Sequence, residues 1–211
     1  MYLTLLKHIG RILLLLSFLA VITCSSGKTP PKAVQGVLDL RDWDFERDGN
    51  IKLDGEWEFY WETFPETKEN GEFYLPEEKR DYIQVPDVWN GFKPRNKSQN
   101  GDVTQEGLKG DGYATYRLKV LLKNPQIVGL RISESSSCST VYLNGKILMS
   151  FGKIGKTQST NLTKREMVKY IFPNTSFDEI ELMIPISNFH HARGGFWNSL
   201  SLGVHEKIQS Q

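Results

Sequence analysis

The sequence is poor in cysteine, histidine, net charge and long hydrophobic runs, and each shortage closes off a class of function. Cysteine occurs only at Cys24 and Cys138 among 211 residues. With Cys24 read below as a lipid-bearing position, Cys138 has no partner, so no disulfide framework is available even in a compartment that permits one. Histidine occurs four times, and one copy, His8, lies in the N-terminal leader. His190 and His191 are adjacent, so extended backbone sends them to opposite faces; His205 is the remaining copy, and a zinc site needs three or four ligands. No metal is therefore expected. Lys and Arg number 26 against 25 Asp and Glu, a formal charge of +1. Without residues 1–23, which hold Lys7 and Arg11 and no acid, the balance becomes 24 against 25. No basic run or basic-aromatic stripe remains, which excludes nucleic acid as a partner class. No amphipathic helix longer than two turns is evident, and after residue 23 no second long apolar run follows.

The apolar run that is present sits at the N-terminus. Lys7, His8 and Arg11 form a positive region ahead of Ile12 to Thr23, which only Ser17 interrupts. The run has the length of a signal-peptide core and falls short of the ~20 residues of a membrane-spanning helix. It ends at Thr23-Cys24-Ser25-Ser26-Gly27, a small residue before a cysteine and a polar spacer after it. This is similar to a bacterial lipoprotein signal, in which the cysteine is acylated and becomes the new N-terminus. An ordinary signal peptide or an uncleaved anchor is the alternative. The expected organisation is a signal peptide over 1–23, a lipidated Cys24 with a polar tether to residue 35, and one domain over 36–207. The expected location is the bacterial cell envelope, lipid-anchored, with the domain outside the cytoplasm.

The domain alternates with period two. Ile51–Trp61 reads as one run in which Trp57, Phe59 and Trp61 share one strand face, with Glu56, Glu58 and Tyr60 on the other, read as solvated. Tyr116, Leu118, Val120 and Leu122 line another strand, and Ile180, Leu182, Ile184 and Ile186 a third. Asn124-Pro125 reads as a turn, and Asn144-Gly145 as a type I′ hairpin turn. Leu200, Leu202 and Val204 close the pattern. Many short strands separated by turn signals predict an all-β protein, a jelly-roll β-sandwich. Gly91–Gly112 breaks the rhythm as a long polar loop, either a binding loop or lid or a surface insertion.

Val85-Pro86-Asp87-Val88-Trp89-Asn90, Gly112-Tyr113-Ala114-Thr115-Tyr116-Arg117-Leu118 and Val141-Tyr142-Leu143-Asn144-Gly145 follow one another in this order. They resemble the galactose-binding-like jelly roll that serves β-galactosidase and β-glucuronidase enzymes as a sugar-binding domain. With Leu38-Asp39-Leu40-Arg41, Leu53-Asp54-Gly55-Glu56-Trp57 and the Phe189-to-Trp197 stretch, residues 36–205 resemble still more the extracellular sensor domain of bacterial seven-transmembrane receptors with diverse intracellular signalling modules. The resemblance implies a fold and a ligand-binding role. The chain departs from both groups in lacking a membrane region, an output module and a catalytic barrel, so a stand-alone sensor-like domain is expected.

Phe189–Asn198 concentrates the ligand-capable chemistry. Arg193 and Asn198 offer forked hydrogen bonds, His190 and His191 single ones, and Trp197 or Trp89 an aromatic platform for a sugar. The competing reading makes Trp197 and Trp89 core residues and the stretch a lock on the sandwich. A structural calcium ion has candidate ligands in Asp39, Asp42, Asp44, Asp48 and Asp54, but their spacing is not that of an EF-hand and they read as turn acids. No cofactor is expected. Catalysis is not expected either. Glu56 and Glu58 read as surface acids, and Ser133–Ser137 has neither a nucleophile-elbow motif nor a base. Cys138 reads as a small buried residue. Asn96, Asn161 and Asn174 match glycosylation acceptors, which are uninformative in a bacterial lipoprotein. The expected function is non-catalytic, sensor-like binding of a carbohydrate or small polar ligand, possible partners including an envelope signalling protein. The alternatives are a protein-interaction lipoprotein and an accessory sugar-binding domain of a glycosidase.

Overall fold

The computed structural model describes residues 28–95, 107–132, 137–163, 169–171 and 175–204. The leader, Cys24, Asn96, residues 133–136, Asn174, His205 and the middle of the Gly91–Gly112 loop lie outside them. In chain order the strands are β1 (Val37–Leu40), β2 (Ile51–Lys52), β3 (Gly55–Trp61), β4 (Glu66–Thr67), β5 (Phe73–Tyr74), β6 (Asp81–Val85) and β7 (Asp87–Val88). They continue with β8 (Gly112–Gln126), β9 (Gly129–Ile132), β10 (Cys138–Leu143), β11 (Lys146–Phe151), β12 (Lys169–Ile171), β13 (Phe177–Asn188), β14 (Gly195–Phe196) and β15 (Ser201–Gly203). One short helix, α1 (Phe45–Asp48), starts at Asp44, whose carboxylate accepts the Glu46 and Arg47 amides.

β8 and β13 pair antiparallel from Gly112 opposite Asn188 to Gln126 opposite Phe177. They form the spine of a seven-stranded sheet in the order β11-β10-β13-β8-β3-β6, with β1 parallel to the second half of β8. A four-stranded sheet, β12-β9-β15-β2, makes the facing layer, joined by the β7–β14 ribbon. Alternation sends Ala114, Tyr116, Leu118 and Val120 of β8 and Ile180, Leu182, Ile184 and Ile186 of β13 into the space between the layers. Leu130, Ile132, Ile51, Leu53, Leu200 and Leu202 meet them there. The result is the all-β jelly-roll sandwich that the strand pattern predicts. Asn144 (φ 47°) and Gly145 (φ 77°) make the expected left-handed hairpin turn.

Three details differ from the sequence-based expectation. The Ile51–Trp61 run is broken, because β2 and β3 belong to opposite layers and the chain crosses between them at Gly55 (φ 127°) against the Ala33 backbone. β8 runs on through Asn124 and Pro125, and the register of β13 shifts between Phe177 and Glu179 opposite this end. The Glu56–Glu58–Tyr60 face is not open to solvent. Residues 62–80 fold back over it and bury Tyr60 with Leu75 and Met183, Phe73 and Tyr142 packing alongside. Glu58 there bonds Arg80 (3.4 Å) and Arg117 (3.5 Å), and Arg117 also binds Glu181.

Candidate functional site

At the end of the sandwich where β8 begins and β13 stops, three chain segments are bound together. Asn188, the last residue of β13, is 1% exposed. Its amide nitrogen donates to the carbonyl oxygens of Gly110 (2.9 Å), His191 (2.7 Å) and Arg193 (3.3 Å), and its oxygen accepts the His191 N–H (3.2 Å). Asn90 acts from the other side, donating to the Ala192 oxygen (3.0 Å) and accepting the Gly194 N–H (3.0 Å). The Trp89 N–H donates to the Gly194 oxygen (2.9 Å), where β14 and β7 begin to pair. Gly194 has no room for a side chain, since a Cβ would strike the Trp89 ring and the Gly110 oxygen. The Gly91–Gly112 loop is pinched at its base by bonds from the Gly91 N–H to the Leu108 oxygen and from the Leu108 N–H to the Phe92 oxygen, both 2.8 Å.

Trp89 is a core residue, which corrects its candidacy as a ligand platform. The chain turns inward after Pro86 and buries the indole completely. Its ring meets Trp61 edge-on at 5.3 Å, and its N–H donates to the Gly110 oxygen at 3.0 Å. A buried ring offers no face to a sugar. Trp197 is 38% exposed and so is not the core residue of the competing reading, whereas neighbouring Phe196 is buried against Trp57 and Tyr116.

His190, His191, Arg193 and Asn198 are exposed. The structure brings His190, His191 and Arg193 together on one short loop; Trp197 and Asn198 follow beyond β14. His190 Nε2 lies 3.3 Å from the oxygen of Asn161. Among the described residues, the side chains of His191, Arg193 and Trp197 take part in no hydrogen bond or ion pair. Sequence reading missed Asn188, Asn90 and Gly110, which hold the loop's backbone. The available signal was a polar Asn at the end of an apolar alternating strand, a position that alternation assigns to the layer and not to the loop.

Three of the five aspartates offered as calcium ligands have structural partners, while Asp54 Oδ1 is buried without a hydrogen-bond partner. Asp39 accepts from Arg41 (2.6 Å), Asp48 from Arg47 (2.7 Å), and Asp44 caps α1. The hydrogen bond from Arg41 holds the Asp39 carboxyl down at about 2. Among the described residues no group of three or more His, Cys, Asp or Glu side chains is placed to share a metal ion. Glu56 accepts the Gln35 N–H (3.1 Å), and Glu58 is held in the ion pairs above. Cys138 is a buried free cysteine, and burial pushes its thiol up, away from thiolate chemistry.

The clefts of the described surface include two that the loop does not line. One of about 570 Å³ lies at the opposite end of the sandwich, between Arg41–Arg47 and Lys123–Gln126. The other, of about 400 Å³, opens on the outer face of the seven-stranded sheet beside Tyr74 and Tyr113. Neither is lined by the 188–198 stretch.

No protein-family model matches this chain, and no curated protein does. Solved structures similar to it include a β-glucuronidase of Faecalibacterium prausnitzii, at 16% identity and TM-score 0.47, over 72% of this chain and 31% of that one. A β-glucuronidase of an uncultured Clostridium species gives 16% and 0.46, over 72% and 28%. A β-galacturonidase from Eisenbergiella tayi bound to galacturonate gives 13% and 0.42, over 74% and 24%. The chain spans less than a third of the length of each. At these identities and TM-scores the likeness assigns neither an activity nor a site to this chain.

Proposed function

We propose that this chain is a non-catalytic ligand-binding domain of the bacterial cell envelope, anchored through lipid on Cys24, whose 190–193 loop recognises a carbohydrate or another small polar molecule. One observation carries the reading. Asn188, Asn90 and Gly110 immobilise the loop's backbone, while the side chains of His190, His191 and Arg193 face solvent. A rigid mount under exposed polar groups lowers the ordering cost of binding, and a guanidinium beside imidazoles supplies the forked and single bonds that vicinal hydroxyls accept and donate. The half-exposed Trp197 ring adds an aromatic face on the same stretch.

The geometry also suits an anchored protein. Lys28 bonds the Asp42 carbonyl, near the end of β1 that pairs with Leu122 of β8. The loop lies beside Gly112, some ten residues and about 35 Å back along β8 at ~3.3 Å per residue. On this reading a tether that enters at Lys28 joins the end of the sandwich opposite the loop. The finer role we favour is a sensory component that resembles the receptor ectodomains; an accessory sugar-binding domain of a glycosidase uses the same surface.

A glycan array probed with the full-length protein, in parallel with Arg193→Ala and His191→Ala, tests the proposal. Binding to a defined glycan class that both substitutions weaken is the expected result. An array without signal, combined with recovery of one protein partner in pull-downs, would replace it with the protein-interaction alternative.

A further inference from the structure

The outer face of the seven-stranded sheet carries a cleft that the 190–193 loop does not touch. After β3 the chain leaves the sheet at Glu62, whose left-handed backbone (φ 50°) turns it back across the outer face. The turn is fixed from below. Glu62 N–H donates to the Tyr113 oxygen (2.9 Å), and the Thr115 hydroxyl to the Thr63 oxygen (2.7 Å). Thr63 is itself buried, and its hydroxyl donates to the Trp61 oxygen (3.0 Å). On this floor stands a cleft of about 400 Å³, inside the range of about 300–1,000 Å³ usual for small-molecule sites.

Its walls combine aromatic rings with charges of both signs. Phe64 and Tyr113 sit with ring centroids 4.8 Å apart, and Tyr74, on the β4–β5 hairpin, is 41% exposed. The Lys68 ammonium lies 5.6 Å from the Tyr74 ring centroid. Glu62, Glu66 and Glu78 contribute carboxylates, and Lys79 and Lys156 ammonium groups. Burial, with Glu62 nearby, raises the Tyr113 phenol above its ordinary value, so it remains a neutral donor. With Lys68 beside Tyr74, three carboxylates face three ammoniums, and so balanced a rim favours neither a polyanion nor a polycation. No Leu, Ile, Val or Met lines the cleft, so it lacks the aliphatic surface that an apolar peptide segment needs. A ligand that stacks on aromatic rings and both donates and accepts hydrogen bonds around its rim fits these walls.

We propose that this cleft binds a neutral saccharide of one or two rings, stacked on Tyr74 and Tyr113 and hydrogen-bonded to Glu66 and Lys156. It is a second site, independent of the loop reading above.

The test is saturation-transfer NMR and calorimetric titration of the full chain with lactose, cellobiose and maltose. At least one disaccharide is expected to bind. Tyr74→Ala should weaken it about tenfold through loss of the stacked ring, while Tyr74→Phe retains it and Lys52→Ala, exposed on the facing sheet, leaves it unchanged; Arg193→Ala, run alongside, reads any share of the binding that belongs to the loop. Glu66→Ala, at an exposed position, should weaken it severalfold without shifting Tm, and so serves as a check independent of Tyr74. Absence of binding by all three sugars overturns the proposal, as does wild-type affinity in both Tyr74→Ala and Glu66→Ala. Loss confined to Arg193→Ala would place the sugar on the loop, leaving the loop reading intact and this one refuted.

Discussion

Asn188→Ala is the sharpest test of how the loop is held. The substitution removes one buried bond to Gly110, two donations to the His191 and Arg193 oxygens, and the acceptor for the His191 N–H. The Gly110 oxygen keeps its bond from the Trp89 indole, so it is not left bare. The two loop carbonyls and the His191 amide sit near solvent, and water replaces part of what they lose. At about 1 kcal/mol for the buried bond and ~0.5–1 for each partly buried one, the cost is about 3 kcal/mol. For a domain of this size that is a fall in Tm of about 6–12 °C, measured by circular dichroism on the purified protein. Asn188→Asp is the stricter control. It keeps the shape but points a carboxylate at three carbonyl oxygens, so it should cost at least as much. Arg193→Ala, on an exposed side chain, should stay within about 0.5 kcal/mol of wild type. A Tm drop of less than ~2 °C in Asn188→Ala would show that β-pairing alone fixes the loop, and the clamp account would fail.

Two further outcomes follow from the same structure. Asp39 is held at about 2 by Arg41, so its ion pair contributes to stability above the ordinary carboxylate value of 3.8 and is lost as pH falls through 2. Carboxylate NMR should show this titration, and Arg41→Ala should return Asp39 toward 3.8. Cys24→Ser should abolish metabolic incorporation of labelled palmitate in a bacterial host and release the protein from the membrane fraction; unchanged labelling would sink the anchor proposal.

Much of the fold is legible because alternation has only one solution in a half-buried strand. Tyr116, Leu118 and Val120 had to share a face, and so did Ile180, Leu182 and Ile184; a one-residue slip would have exposed each set. Asn144-Gly145 is readable for a similar reason, since few residue pairs accept two consecutive left-handed conformations. The Glu56–Glu58–Tyr60 face was misread because alternation reports which residues share a side, not what later covers that side. Residues 62–80 cover it, and nothing in the Gly55–Trp61 pattern encodes their return. Trp89 carried the same ambiguity, as a large aromatic in a loop serves equally as anchor or platform until its neighbours are known.

The candidate site divides along the same line. Local sequence was enough to pick out His190, His191 and Arg193, because residue type and glycine-rich context are properties of adjacent positions. Their mounting is not local. Asn90 and Gly110 lie some eighty residues or more before the loop they hold, and Asn188 acts by binding the Gly110 carbonyl and the loop carbonyls of His191 and Arg193 at once. By itself, then, the sequence determined the strand faces, the hairpin turn and the chemistry available to the 189–198 stretch. Only the tertiary structure decided that Trp89 is core, that the outer sheet face is covered and cleft, and that the loop is clamped, since each depends on contacts between segments whose spacing along the chain says nothing about their distance in space.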